Sequence, residues 1–266
     1  MTSHYRRRPA RRVKVVPYVV PTTRSRADFN PMTVPTRWVK FVIALFLVPL
    51  CAVLSQTFFT AFARATMAQR LWAAEEFWFF ALGAVLWLIA FFGLPRPVIL
   101  YVFGHELTHV LWVLLMGGRV SRFRVGRDGG HIVTNRTNFF IALAPYFFPL
   151  YSILAIAAYG ILGLFFNVQP YGRLLYAVIG VTWAFHLTFT CWMIPKSQTD
   201  LKDHGTFFSL VIIYLMNLLL LIVMLVMASP QITFASFGAD MVANIGTFSH
   251  WLVNLFDEFK RGAYHA

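Results

Sequence analysis

Charge is scarce in this chain. Only 12 % of its 266 residues are Asp, Glu, Lys or Arg, while 59 % are hydrophobic. Soluble domains carry about 25 % charged residues. The composition therefore excludes a soluble globular protein and predicts a polytopic membrane protein. Cysteine is nearly absent as well. Cys51 and Cys191 are the only two, and both fall in apolar runs. That excludes a disulfide framework and any cysteine-based zinc pattern. Acidic residues number ten against 23 Lys and Arg, so each carboxylate inside an apolar run calls for a reason.

The net charge of +13 raises the question of nucleic acid, and the distribution of the charge answers it. Ten of the basic residues lie in the first 40 positions, in a stretch rich in proline and without helical period. No aromatic-interleaved fold accompanies them, so no nucleic-acid partner is expected. Residues 1–37 read instead as a disordered cytoplasmic tail that lies on anionic lipid headgroups. The first long apolar run begins near Trp38, too late for a cleavable signal peptide.

What is abundant is apolar sequence, in about six segments. They fall at 38–59, 77–94, 98–116, 139–166, 174–194 and 207–227, the fourth interrupted by Pro145 and Pro149. Each of the others suits a helix crossing a bilayer core of about 30 Å. Residues 119–135 differ: β-branched residues around Asp128 and Gly129 predict a small membrane-associated β-hairpin. Residues 229–266 differ again. Phe237, Met241, Ile245, Phe248, Leu252, Leu255 and Phe259 recur at steps of three and four, which predicts an amphipathic helix, interfacial or packed on the bundle. The expected fold class is thus an all-α polytopic membrane protein with that hairpin and that helix. Its parts are a tail (1–37), N-terminal transmembrane segments (38–97), a membrane core (98–228) and the C-terminal helix.

Inside the third segment, VILYVFGHELTHVLWVLLM, stand His105, Glu106 and His109. Two imidazoles one helical turn apart share a face, and together they can bind one zinc ion. A glutamate directly beside them can act as a general base. A catalytic zinc uses three protein ligands and one open position. The residues after His109 are Val110, Leu111 and Trp112, so the Gly-and-His continuation that supplies a third histidine elsewhere is missing. The only glutamate downstream is Glu258, in the terminal helix. The oxygen ligands left near the membrane are Asp200 and Asp203, in the stretch after the fifth segment where Pro195 ends the helix. Irregular backbone at that depth is tolerated only against protein or a wet cavity. Of the remaining polar residues in these segments, His186 is expected to be a hydrogen-bonded packing residue or a support to the metal site. Asn138, Asn167 and Asn217 are expected to bond between helices. His131 and His204 are expected to be solvated.

Over residues 98–210 the chain resembles the site-2 protease family of intramembrane metalloproteases. The resemblance rests on the His-Glu-x-x-His motif on a membrane span, on Gly117-Gly118-Arg119-Val120 leading into a small β region, and on the five-residue step from Pro195 to Asp200. It departs from the family where Leu201 stands in place of the usual glycine and where the asparagine ahead of the proline is missing. The alignment favours Asp200, with Asp203 as the alternative ligand. The resemblance implies a compact zinc-dependent endopeptidase without a PDZ domain. It implies Zn2+ on His105, His109 and Asp200, with Glu106 catalytic. Its substrate would be a membrane protein or peptide, held along the hairpin edge and cut in or near the lipid bilayer. The compact size and basic tail lean toward a bacterial plasma membrane. The rival from another class is a metal-binding membrane protein without peptidase activity, a zinc carrier or a pseudo-protease regulator. A carrier would line a path with further polar ligands, and a pseudo-protease would most simply lack Glu106.

Charge also sets a topological puzzle. Both the tail and the Arg-rich 119–136 loop belong inside by the positive-inside rule, yet three apolar segments lie between them. The segment 77–94, closed by the tight Pro95-Arg96-Pro97 turn, is expected not to cross fully.

Overall fold

A computed structural model describes residues 36–67, 70–126, 129–196, 199–229 and 231–264. The basic tail and the turn at Arg127 and Asp128 lie outside the described residues. The remainder is a helical bundle with one two-stranded hairpin. Five helices are long and apolar enough to cross a membrane, and a sixth crossing is possible if one bent pair counts as a span. The chain is therefore an all-α, multi-pass membrane protein.

Helix α1 (Thr36–Met67) runs two turns beyond the expected stop at 59. Alanine is the strongest helix former, and Ala61, Ala63 and Ala65 fill those turns. Ala61 and Ala65 are buried against Leu218, Ile222 and Leu225 of α9 and Phe237 of α10. A short α2 (Arg70–Ala73) precedes α3 (Glu75–Gly93). The segment expected to stop short of crossing is thus an unbroken helix of 19 residues, and it passes the length and hydropathy test for a span.

Helix α3 packs on α7 (Gly172–Met193) through glycine. A Cβ at Gly83 would lie 2.0 Å from the Ala177 carbonyl oxygen, and one at Gly180 would lie 2.0 Å from that of Phe80. Between apolar helices in lipid, such small residues let backbones approach and gain dispersion contact. The Glu75–Arg173 ion pair, at 2.6 Å, ties the same two helices near their ends.

Helix α4 (Val98–Leu115) carries the His-Glu motif. It ends where expected: Gly117 takes φ +73°, a left-handed conformation costly for any residue with a Cβ. Strands β1 (Val120–Gly126) and β2 (Gly129–Thr134) follow as an antiparallel hairpin. Its pairing is irregular between Val120 and Arg122, which is why Val120, Phe123 and Val125 do not alternate cleanly. Asn135 closes the base, accepting from the Arg119 N–H at 2.7 Å.

The fourth apolar segment is the broken one. Helices α5 (Phe139–Phe147) and α6 (Leu150–Gly163) meet at 75°. Pro149 cannot donate to the carbonyl four residues back and disfavours helix in the residue before it. Asn138 caps α5, accepting from the Ile141 N–H at 2.9 Å, and its amide reaches the Met116 sulfur. Asn167, expected between helices, instead accepts locally from the Gln169 N–H, because it falls in the turn between α6 and α7. After α7, a short α8 (Thr199–His204) and α9 (Thr206–Ala228) are joined by Gly205 at φ +89°.

Helix α10 (Phe234–Tyr264) is the expected amphipathic element. Its first part takes the packed placement of the two expected. Phe237 and Met241 pack into the α1–α9 core, Asp240 pairs with Arg64, and Asn244 donates to the Thr57 hydroxyl at 3.0 Å. Beyond Phe248 the described side chains are exposed.

Candidate metal centre

The hairpin, α4, α5, the end of α7 and α8 surround a cavity of about 590 Å³. His105, Glu106 and His109 from α4 line it, with Asp200 and Asp203 from α8 and Gly130 from β2. The α-helical spacing places both imidazoles on one face, as the motif requires. The feature that spacing alone could not give is the arrival of Asp200. Its Oδ2 lies 3.4 Å from His105 Nε2 and 3.6 Å from His109 Nε2. One donor atom from each residue falls within 4.8 Å of the others, so the three could hold a metal ion. Asp203 lines the same cavity but is not in that group of donors.

The geometry fits a small tetrahedral cation. Bonds of about 2.1 Å to nitrogen and oxygen give a tetrahedron with edges of about 3.4 Å, close to both separations. The tautomer of His109 points the same way. Its Nδ1 stands 2.8 Å from the Ile141 carbonyl, which can only accept, so Nδ1 carries the proton. In the neutral ring Nε2 then directs a lone pair toward the Asp200 carboxylate. Two acceptors facing each other are resolved by a further proton or by a shared cation.

The sequence explains why the Ile141 carbonyl is free. In a regular helix it would accept from the N–H of residue 145, and residue 145 is proline. The break at Pro149 frees the Tyr146 carbonyl in turn, since Leu150 donates to Phe148 instead. Asn217 of α9 takes it up at 3.0 Å, which makes Asn217 an interhelical bond as expected.

Around the donors sits a shell of groups that sequence reasoning missed. Tyr101, one turn before His105, places its hydroxyl 3.2 Å from His105 Nδ1. Tyr146 donates to Asp200 Oδ2 at 3.2 Å. The i, i+4 step from Tyr101 to His105 was a readable signal; the Tyr146 contact, 54 residues from its partner, was not. Burial alone would raise the Asp200 carboxyl, but the two imidazoles beside it outweigh that and hold it well below the usual carboxylate range.

Glu106 is buried at the wall of the cavity, where the hairpin covers it: a Cβ on Gly130 would lie 2.5 Å from Glu106 Cγ. Gly104 serves a similar purpose one residue before His105, since a Cβ there would meet the Tyr151 ring at 2.7 Å. His186 is buried on α7 and lines a smaller cavity with His105; its Nε2 has no hydrogen-bond partner among the described residues. His204 is half-buried rather than solvated, with Nδ1 2.7 Å from Lys40 Nζ. Burial, then the Lys40 charge, lowers its pKa below the ordinary imidazole value.

Fold and site together define a class: a multi-pass helical membrane protein in which three side chains from two helices could hold a metal ion. Compared with models of protein families, with curated proteins and with solved structures, the chain matches none.

Proposed function

We propose that this chain is an intramembrane zinc metallopeptidase of the site-2 protease type, hydrolysing peptide bonds of membrane-protein substrates at the edge of the bilayer. The observation that carries this reading is the convergence of Asp200 on the His105–His109 pair, with a carboxylate, Glu106, adjacent to that pair on the same cavity. A zinc ion on such donors supplies Lewis acidity and brings the pKa of a bound water to about 7.

Glu106 is the proton carrier in this scheme. Its carboxylate oxygen accepts the proton of the attacking water and returns it to the leaving nitrogen. The Ile141 carbonyl holds the His109 ring so that Nε2 faces Asp200. The cavity gives water a way to the site: His131, Thr134, Thr137, Lys196 and Thr199 make much of its lining polar. An extended substrate segment has a place as well. Residues of β2 line the cavity, β2 pairs only with β1 among the described residues, and a free strand edge binds unwound peptide by main-chain hydrogen bonds. The basic residues of the tail and of the 119–136 loop each favour a cytoplasmic face, in a bacterial plasma membrane, and the two share it only where one of α1, α3 and α4 does not cross the bilayer fully.

The test is Glu106→Gln in the full-length chain reconstituted in liposomes with a panel of transmembrane peptides. Loss of cleavage by 10²-fold or more, as for removal of a general base, with zinc content retained, supports the reading. Zinc in the wild type with no cleavage of any peptide would leave a metal-binding membrane protein without peptidase activity.

A further inference from the structure

We propose that Tyr146 is a positioning residue of the metal centre: its phenol fixes the Asp200 carboxylate so that one oxygen, Oδ2, is presented to the histidine pair. The inference rests on the metal reading above and extends it to a residue outside the His-Glu motif.

Three observations carry it. First, Tyr146 is fully buried in an apolar segment, where a phenol without a partner would be costly; the partner it finds is the oxygen that both imidazoles face, at 3.2 Å. Second, Tyr146 is held from both ends. Its ring stands edge-on to the His105 ring, centroids 5.3 Å apart at 86°, and its carbonyl accepts from Asn217 at 3.0 Å. Asn217 is itself fixed by the Ile213 carbonyl at 2.8 Å. Third, Asp200 sits on the six-residue α8, and no lysine or arginine forms an ion pair with it among the described residues. Among the described residues, the hydroxyl of Tyr146 is thus the restraint on that carboxylate besides the two imidazoles.

Helix α5 gives this arrangement its economy. Pro145 frees the Ile141 carbonyl for His109, and the next residue reaches Asp200. One short helix therefore orients two of the three donors, and a supporting group of this kind tunes a ligand through its hydrogen bond.

The experiment uses the full-length chain in detergent. Zn2+ affinity is measured by chelator competition, and Co2+ binding by its visible absorption bands, for wild type, Tyr146→Phe and Tyr159→Phe. Tyr159 donates to the Val168 carbonyl and controls for loss of a phenol elsewhere. Tyr146→Phe should keep the packed ring, weaken Zn2+ by about 10- to 100-fold and alter the Co2+ bands; Tyr159→Phe should change neither. Wild-type Zn2+ affinity and unchanged Co2+ bands in Tyr146→Phe would overturn the proposal. A wild type that binds no metal would instead refute the metal reading itself, a different and separable result.

Discussion

Gly130→Ala isolates the proposed proton carrier from the metal ligands. The added Cβ would lie 2.5 Å from Glu106 Cγ, 2.9 Å from Glu106 Cδ and 2.9 Å from the Arg124 carbonyl oxygen. Carbon atoms rest at about 3.5–4.0 Å, so the Glu106 side chain must yield by about 1 Å. The Arg124 carbonyl, part of the β1 ladder, gives the hairpin little room to yield instead. A displacement of about 1 Å at a reacting group costs on the order of 10²-fold in rate, and overpacking costs about 1–3 kcal/mol of stability. No atom of His105, His109 or Asp200 is among the three nearest to that Cβ, so metal binding should persist. The assay is cleavage of a reconstituted transmembrane peptide, paired with zinc per chain. The expected result is near-stoichiometric zinc with cleavage down by about two orders of magnitude. Full cleavage with full zinc would refute the placement of Glu106 beneath the hairpin.

Other substitutions test neighbouring links. Pro145→Ala restores an N–H that competes for the Ile141 carbonyl; zinc affinity should fall by about 10- to 100-fold while thermal unfolding is unchanged or later, and unchanged affinity would contradict the assigned His109 tautomer. Gly104→Ala drives a methyl toward the Tyr151 ring, 2.7 Å away, and should lower both stability and zinc occupancy, read by melting in detergent and by metal analysis. Gly180→Ala sets a methyl 2.0 Å from the Phe80 carbonyl and should destabilise the α3–α7 pair by about 3 kcal/mol or more. Gly160→Ala, with nothing within 4 Å of its Cβ, should be neutral or stabilising in the same unfolding assay.

Much of this architecture is legible in the sequence because hydrophobic runs and helical spacing are local signals. The run from Val98 ends at Gly117 in sequence and in structure, and His105 and His109 share a face in both. The α1 extension past 59 was hidden because hydropathy falls there while helix propensity, carried by alanines, does not. Pro145 and Pro149 announce a break, but not what the break does: freed carbonyls find partners on α4 and α9 that no local pattern specifies. The glycines of the α3–α7 contact read as neutral in a hydropathy profile, since their role appears only when the opposing backbone is in place. The phenol of Tyr146 was invisible for the same reason. Asp200 lay between these cases: the residue step from Pro195 favoured it over Asp203, and the fold of α8 brings its carboxylate to the histidines.

Zinc per chain in the detergent-purified full-length protein, measured for wild type, Asp200→Ala and Asp203→Ala, tests the account most directly. One zinc per wild-type chain, lost in Asp200→Ala and kept in Asp203→Ala, is the expected result. A wild type that holds no zinc after reconstitution, or a site lost only in Asp203→Ala, would contradict it.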